Sequence, residues 1–245
     1  MGSTPTVGKS ARLQGVATIA LMALSLALVF FYAPLEAEQG FLQKIFYVHV
    51  PLAIISLVAF VLAGLLAVQY LRTRDAVWDM RAWVMIDLAL AFAVAALVCG
   101  SIWAKGSWGH WWVWNEPTLV SFLIVILFYA VYRPLRAAVE DRERQAAYAS
   151  VYAIVGAVFV PLNFLAVRFS SAYLHPRVLG ASSQLPGPMA LTFLVCLAAD
   201  ALLFATMFRY EMSLRRLRAM VRALRRRREA ARAAAALTEQ RRSAA

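Results

Sequence analysis

The segment Trp108-Gly-His-Trp111-Trp112-Val-Trp114-Asn115 places four indole rings within seven residues. Five of the chain's seven tryptophans fall between Trp103 and Trp114. Tryptophan favours the membrane–water boundary, which accounts well for one or two rings per interface. Four crowded at one boundary are more than anchoring needs. Read as a helix, the segment sets Trp108, Trp111, Trp112 and Asn115 on one face, at i, i+3, i+4 and i+7. Such a platform suits a large planar ligand, which stacks on the rings while imino groups meet its polar edge. From the residues alone, an aromatic belt and a ligand platform both stay open.

The chain has three histidines. His49 stands in Phe46-Tyr-Val-His-Val-Pro51, His110 inside the Trp segment, and His175 in Ser171-Ala-Tyr-Leu-His-Pro176. Two imidazoles on separate elements can approach a metal at the centre of a planar ligand from opposite sides, as axial histidines hold haem iron. The alternative is a set of interfacial histidines hydrogen-bonded to backbone or headgroups. Topology bears on the choice.

The elements that would position these groups are apolar runs. Of 245 residues, 62% are hydrophobic and 16% charged, too apolar for one water-soluble core. Runs at 13–33, 50–71, 82–103, 118–133, 148–168 and 189–209 are long enough to cross the hydrocarbon core as helices, and lipid favours helices because each satisfies its own backbone. The expected fold is all-α, a polytopic membrane protein of six transmembrane helices. The first run follows Lys9 and Arg12 and is longer than a signal core, so it reads as an anchor. The domain reading is a short N-terminal stretch at 1–12, a membrane domain at 13–210 and a basic tail at 211–245.

One set of loops carries Lys9, Arg12, Arg72, Arg74, Arg81, Arg133, Arg136, Arg142, Arg144 and the tail, while the opposite set carries only Lys44, Lys105, Arg168 and Arg177. That asymmetry predicts both termini in the cytoplasm and the loops near 34–49, 104–117 and 169–188 outside. All three histidines then fall on the outer face.

The net charge of +12 resides mostly in the tail arginines, Arg215 to Arg228. A basic tail after an apolar run suits anionic headgroups on the cytoplasmic side. With no nucleic-acid recognition fold left to carry contacts, nucleic acid is excluded as a partner. Cys99 and Cys196 lie in apolar runs without a CxxC pair and read as small core residues. Gly8-Lys9-Ser10 mimics the end of a phosphate-binding loop, but Gly2 is one residue too far upstream and no strand precedes it. ATP use would belong to a partner.

Together these motifs resemble the haem-handling family of cytochrome c assembly proteins, and among them the haem exporter protein C group (CcmC) of cytochrome c maturation. The resemblance rests on Trp108-Gly-His-Trp111-Trp112-Val-Trp114-Asn115, similar to the family's WGxWWxWD. It rests also on Tyr47-Val-His49-Val-Pro51 and Leu174-His175-Pro176, and covers about residues 13–210. It implies a bacterial inner-membrane protein that binds haem b at the outer face and presents it to a membrane-anchored haem chaperone (CcmE). His49 and His175 would be the axial ligands, and Trp108, Trp111, Trp112, Trp114 and Asn115 would contact the porphyrin. The implied partners are the ABC-type subunits CcmA and CcmB and the small protein CcmD. His110 falls at a variable position of the motif and is not a ligand candidate. Lys105, Arg168 and Arg177 are outer cations available to haem propionates.

This chain departs from the pattern at Asn115, where the family has Asp. Glu116 follows it, but on a helix one residue turns a side chain by about 100°, so Glu116 would not take its place. The stretch before His175 also lacks the tryptophans expected of relatives. Asp87 and Asp200 lie within spans, where carboxylates form proton paths or contacts between helices. No catalytic residue is assigned. The competing readings are a haem lyase acting directly on apocytochrome c, usually a longer protein, and a permease or scaffold subunit without haem.

Overall fold

The computed structural model describes residues 9–169, 174 and 185–243. Among these there is no strand, only a single bridge between Glu36 and Gly40. Seven helices follow in chain order: α1 Lys9–Ala27, α2 Phe46–Thr73, α3 Ala76–Trp108, α4 Pro117–Ala130, α5 Tyr132–Ala137, α6 Arg142–Phe169 and α7 Gly187–Ser243. A π-helical turn, Leu28–Tyr32, extends α1, and a 3-10 turn, Phe41–Ile45, leads into α2. Six segments are long and apolar enough to span a membrane, as the hydrophobic runs predict. The first compact unit ends at Phe208; residues from Arg209 onward form a second, helical unit.

Local chemistry explains where the helices stop. Arg74 closes α2 in the left-handed region at φ 58°, and Asp75 opens α3 by accepting a hydrogen bond from the Val77 N–H at 2.9 Å. A two-residue turn therefore suffices between two long helices. The fourth span is a composite of α4 and α5, broken at Val131. Pro134 has no N–H to give to the carbonyl of Ala130, and the helix yields there.

The core is made of small residues at close helix contacts. Ala59, Ala63 and Ala67 of α2 are buried, as are Ala82, Ala89, Ala93 and Ala96 of α3 and Ala149 and Ala153 of α6. In lipid no solvent pushes helices together, so association depends on close backbone approach, dispersion and a few polar links. Gly64 shows the limit: a side chain on it would run into Ala157 of α6. Aromatic rings fill the wider gaps, with Phe60 stacked on Tyr129 at 3.8 Å between centroids. A polar link joins α1 to α7, where the Thr18 and Thr206 hydroxyls lie 2.8 Å apart.

Two carboxylates of α3 anchor arginines. Asp79 receives both terminal nitrogens of Arg136, at 2.6 and 2.9 Å. The same guanidinium lies 4.3 Å over the Trp83 ring. Arg136, read in the sequence as a loop cation, is thus a buried cross-link between α3 and α5. Asp87 accepts from Arg133 Nε at 2.7 Å, a contact between α3 and α5. Asp200 is buried in α7.

Candidate functional site

Alternation of the spans puts the start of α2, the end of α3, the start of α4 and the end of α6 at one end of the bundle. His49 lies in the first turn of α2 and is partly buried. Its Nδ1 is 2.8 Å from the carbonyl oxygen of Ala96 in α3. A carbonyl only accepts, so Nδ1 carries the proton and donates it. In the neutral ring the lone pair is then on Nε2, the tautomer suited to a metal ligand. One turn further along α3, Gly100 provides the space for the ring: a Cβ there would lie 2.7 Å from His49 Cε1.

The loop before α2 is tied down by its own side chains. Glu36 accepts from the backbone N–H groups of Glu38 and Gln39, at 2.9 and 2.6 Å. Gly40, at φ 55°, completes the turn. Gln39 accepts from Trp103 Nε1 at 3.1 Å, fixing the loop to α3. Lys44, counted as an outer-loop cation, is buried and donates to the carbonyl of Ala33 at 2.5 Å.

The Trp segment is not helical. α3 ends at Trp108, and Gly109 takes a left-handed conformation at φ 77° with its N–H on the Lys105 carbonyl. Lys105 turns its ammonium onto the Gly109 carbonyl at 2.8 Å. It caps the helix end, a use of this cation other than the propionate contact considered from sequence. Residues 109–116 then run as an irregular loop to the start of α4. The single face expected for Trp108, Trp111, Trp112 and Asn115 therefore does not form, because glycine at this position favours termination over continuation.

The loop instead divides the rings. Trp108 is packed edge-on against Trp103, centroids 5.0 Å apart. Trp112 is partly buried and edge-on to Trp114 at 5.8 Å. Trp111 and Trp114 are 59% and 75% exposed. The Trp112 imino nitrogen is buried with no hydrogen-bond partner among the described residues. His110 and Asn115 are exposed.

Glu116 is the residue whose position the sequence reading missed. It is 2% exposed and stands at the N-cap of α4 in an extended conformation. Its Oε1 accepts from the Thr118 N–H at 3.4 Å and its Oε2 from the Leu174 N–H at 2.7 Å. With no helix here, the 100° rotation does not apply, and the carboxylate turns inward while Asn115 faces out. The sequence signal was available in Glu-Pro-Thr at the start of an apolar run, a helix-start pattern with proline in the first turn. His175, Arg177 and the Arg168 side chain lie outside the described residues.

The donor set fits a planar metal-bearing ligand. It offers a histidine oriented by a backbone carbonyl, two exposed indoles in a loop at the same end of the bundle, and a buried imino group with no acceptor among the described residues. Along α3, Gly100 and Trp108 are separated by about 12 Å of helix rise. His49 and the Trp loop thus belong to one end of the same element. Among the described residues no cluster of His, Cys, Asp or Glu would hold a bare metal ion. Cys99 and Cys196 are unpaired thiols.

Fold and site define a multi-pass helical membrane protein with a tryptophan-rich loop and a backbone-oriented histidine at one end of its bundle. Residues 4–238 match the family model described as "Heme exporter protein C" (CcmC), and the chain belongs to that family. It is similar to the heme exporter protein C of Rhodobacter capsulatus, at 34% identity over 65% of this chain and 65% of the relative. The protein of that name from Bradyrhizobium diazoefficiens is 33% identical over 85% of this chain and 79% of the relative. The Escherichia coli K12 protein is 29% identical over 63% and 62%. The chain thus spans slightly less than two thirds of the R. capsulatus relative. Six spans and bacterial relatives make it a multi-pass inner-membrane protein.

Proposed function

We propose that this protein binds haem b at the outer face of the inner membrane and presents it to a haem chaperone during cytochrome c maturation. The observation that carries the reading is the His49–Ala96 hydrogen bond at 2.8 Å. It holds the imidazole in one orientation with Nε2 as the acceptor atom, as second-sphere partners do for metal-binding histidines. His49 and His175 are the axial ligands, one on α2 and one in the segment after α6. Trp111 and Trp114 offer exposed rings for the macrocycle, Trp112 packs edge-on against Trp114, Trp108 contributes a further ring at the end of α3, and the Trp112 imino group and Asn115 are available to polar edges. Bound haem is cargo here; the chain orients it and leaves an edge open to the acceptor.

Loop charge supports an arrangement with both termini in the cytoplasm and the site outside. The family name supports ABC-type partners of the CcmA and CcmB kind, a CcmD-like small protein and a CcmE-like chaperone. The test is the Soret spectrum of purified full-length protein beside His49→Ala, His175→Ala and the double variant. Each single change is expected to lower haem retention and alter the band, and the double change to abolish it. Unchanged haem content in the double variant would sink the ligand assignment.

A further inference from the structure

The haem site makes no use of the arginines that follow the last span, and the fold gives them a shape. Residues from Arg209 onward are helical and form a unit of their own. Between Arg209 and Arg232 this helix carries ten arginines against two glutamates. Every residue from Arg216 to Arg232 is exposed. At about 100° per residue, Tyr210, Leu214, Leu217, Val221 and Leu224 fall in a sector roughly 80° wide. No arginine between 210 and 224 interrupts it, and all five side chains are exposed. Arg218 and Arg225 flank the sector on one side, Arg209 and Arg227 on the other, and Arg228 closes it.

Such a helix is poorly matched to water. Like charges at i, i+4 weaken it, as at Arg218, Arg222 and Arg226, and a single helix of this length is marginal unaided. Glu211 pairs with Arg215 at 2.8 Å. Arg218, Arg222 and Arg226 meet no carboxylate among the described residues. Whatever covers this surface has to bring negative charge to the flanks and an apolar contact to the stripe. A second copy of the tail carries the same charge and is repelled. A coiled-coil partner needs about three to four heptads of seam, and this one runs for about two. An anionic lipid layer needs no register, because its phosphates meet arginines along the whole helix while its acyl boundary takes the stripe.

We propose that residues 209–232 dock on an anionic membrane surface, with Leu214, Leu217, Val221 and Leu224 inserted and the arginines at the phosphates. Charge alone would hold the helix near the headgroups; the stripe takes it into the boundary below them. The docking does not depend on the haem ligands.

The test uses full-length protein in vesicles, with Cys99→Ala and Cys196→Ala as background. The fluorophore NBD is attached at Leu217→Cys or Val221→Cys on the stripe, or at Ala219→Cys on the opposite face. In vesicles of phosphatidylcholine and phosphatidylglycerol, emission at 217 and 221 is expected to shift to shorter wavelength. Emission at 219 should stay at its position in water, and phosphatidylcholine alone should give no shift at any site. Adding Leu214→Ser and Leu224→Ser should abolish the shift at 217 with every arginine in place, which separates insertion from attraction by charge. Equal emission at 217, 221 and 219 overturns the proposal and leaves the face to a soluble acidic partner. A shift undiminished in phosphatidylcholine alone overturns it too, as does one that grows with protein density, the mark of a second copy. So does a shift at 217 that survives both serine changes.

Discussion

The imidazole of His49 occupies the space that a side chain on Gly100 would need. A Cβ built on Gly100 would lie 2.7 Å from Cε1 and 3.1 Å from Nδ1 of the ring, both inside van der Waals contact. The histidine on α2 and the glycine on α3 are thus one feature, with the Ala96 carbonyl as its third part.

Gly100→Ala should therefore act on the ligand more than on the helix. Alanine is the better helix former, but overpacking costs about 1–3 kcal/mol. The ring is the group that yields. Haem affinity should fall by roughly 5- to 150-fold, the range equivalent to that energy, while thermal stability in detergent changes little. Haem titration and thermal unfolding of the same preparation check both halves. Unaltered affinity would show that the ring is not seated against α3.

The tryptophans should divide by burial. Trp111→Ala and Trp114→Ala remove rings that are mostly exposed, so stability should stay within about 0.5 kcal/mol while haem is lost faster. Trp112→Ala removes a partly buried ring and should lower stability as well as retention. Haem transfer to apomyoglobin, followed in time beside a melting curve, separates the two effects. A uniform result for all three would argue that they serve only as membrane anchors.

Arg136 should matter for stability alone. It is buried against Asp79 with two hydrogen bonds and stacked on Trp83. Arg136→Met strands the Asp79 carboxylate, and breaking such a pair costs about 3–5 kcal/mol. Adding Asp79→Leu should recover much of that loss, because two apolar residues leave no uncompensated charge. Thermal unfolding of both variants is the measurement. A double variant as unstable as the single one would mean that the cation's stacking on Trp83, rather than its charge pairing, holds this corner.

At the contact between α2 and α6, Gly64→Val should loosen the bundle. The added side chain meets Ala157, whose backbone is held within its own helix, so the helices must part. The expected cost is about 1–3 kcal/mol, seen as a lower melting temperature with the haem spectrum unchanged. Gly64→Val protein as stable as wild type would place the two helices further apart than described.

The amino-acid sequence by itself determined the solvent, the number of spans and the family resemblance. Those depend on residue type and on runs of about 20 residues, which need no partner to be read. The Trp segment was legible for the same reason, being a dense run of a rare residue. What only the tertiary structure decided was orientation. Trp108, Trp111, Trp112 and Asn115 would share a face on a helix; a left-handed glycine ends the helix at 109 and distributes them between buried and exposed positions. The tautomer of His49 depends on a carbonyl 47 residues away. The buried Glu116 carboxylate meets the N–H of Leu174, which lies 58 residues along the chain. Hydrogen bonds are short and directional, so which groups meet depends on distances that local periodicity does not contain.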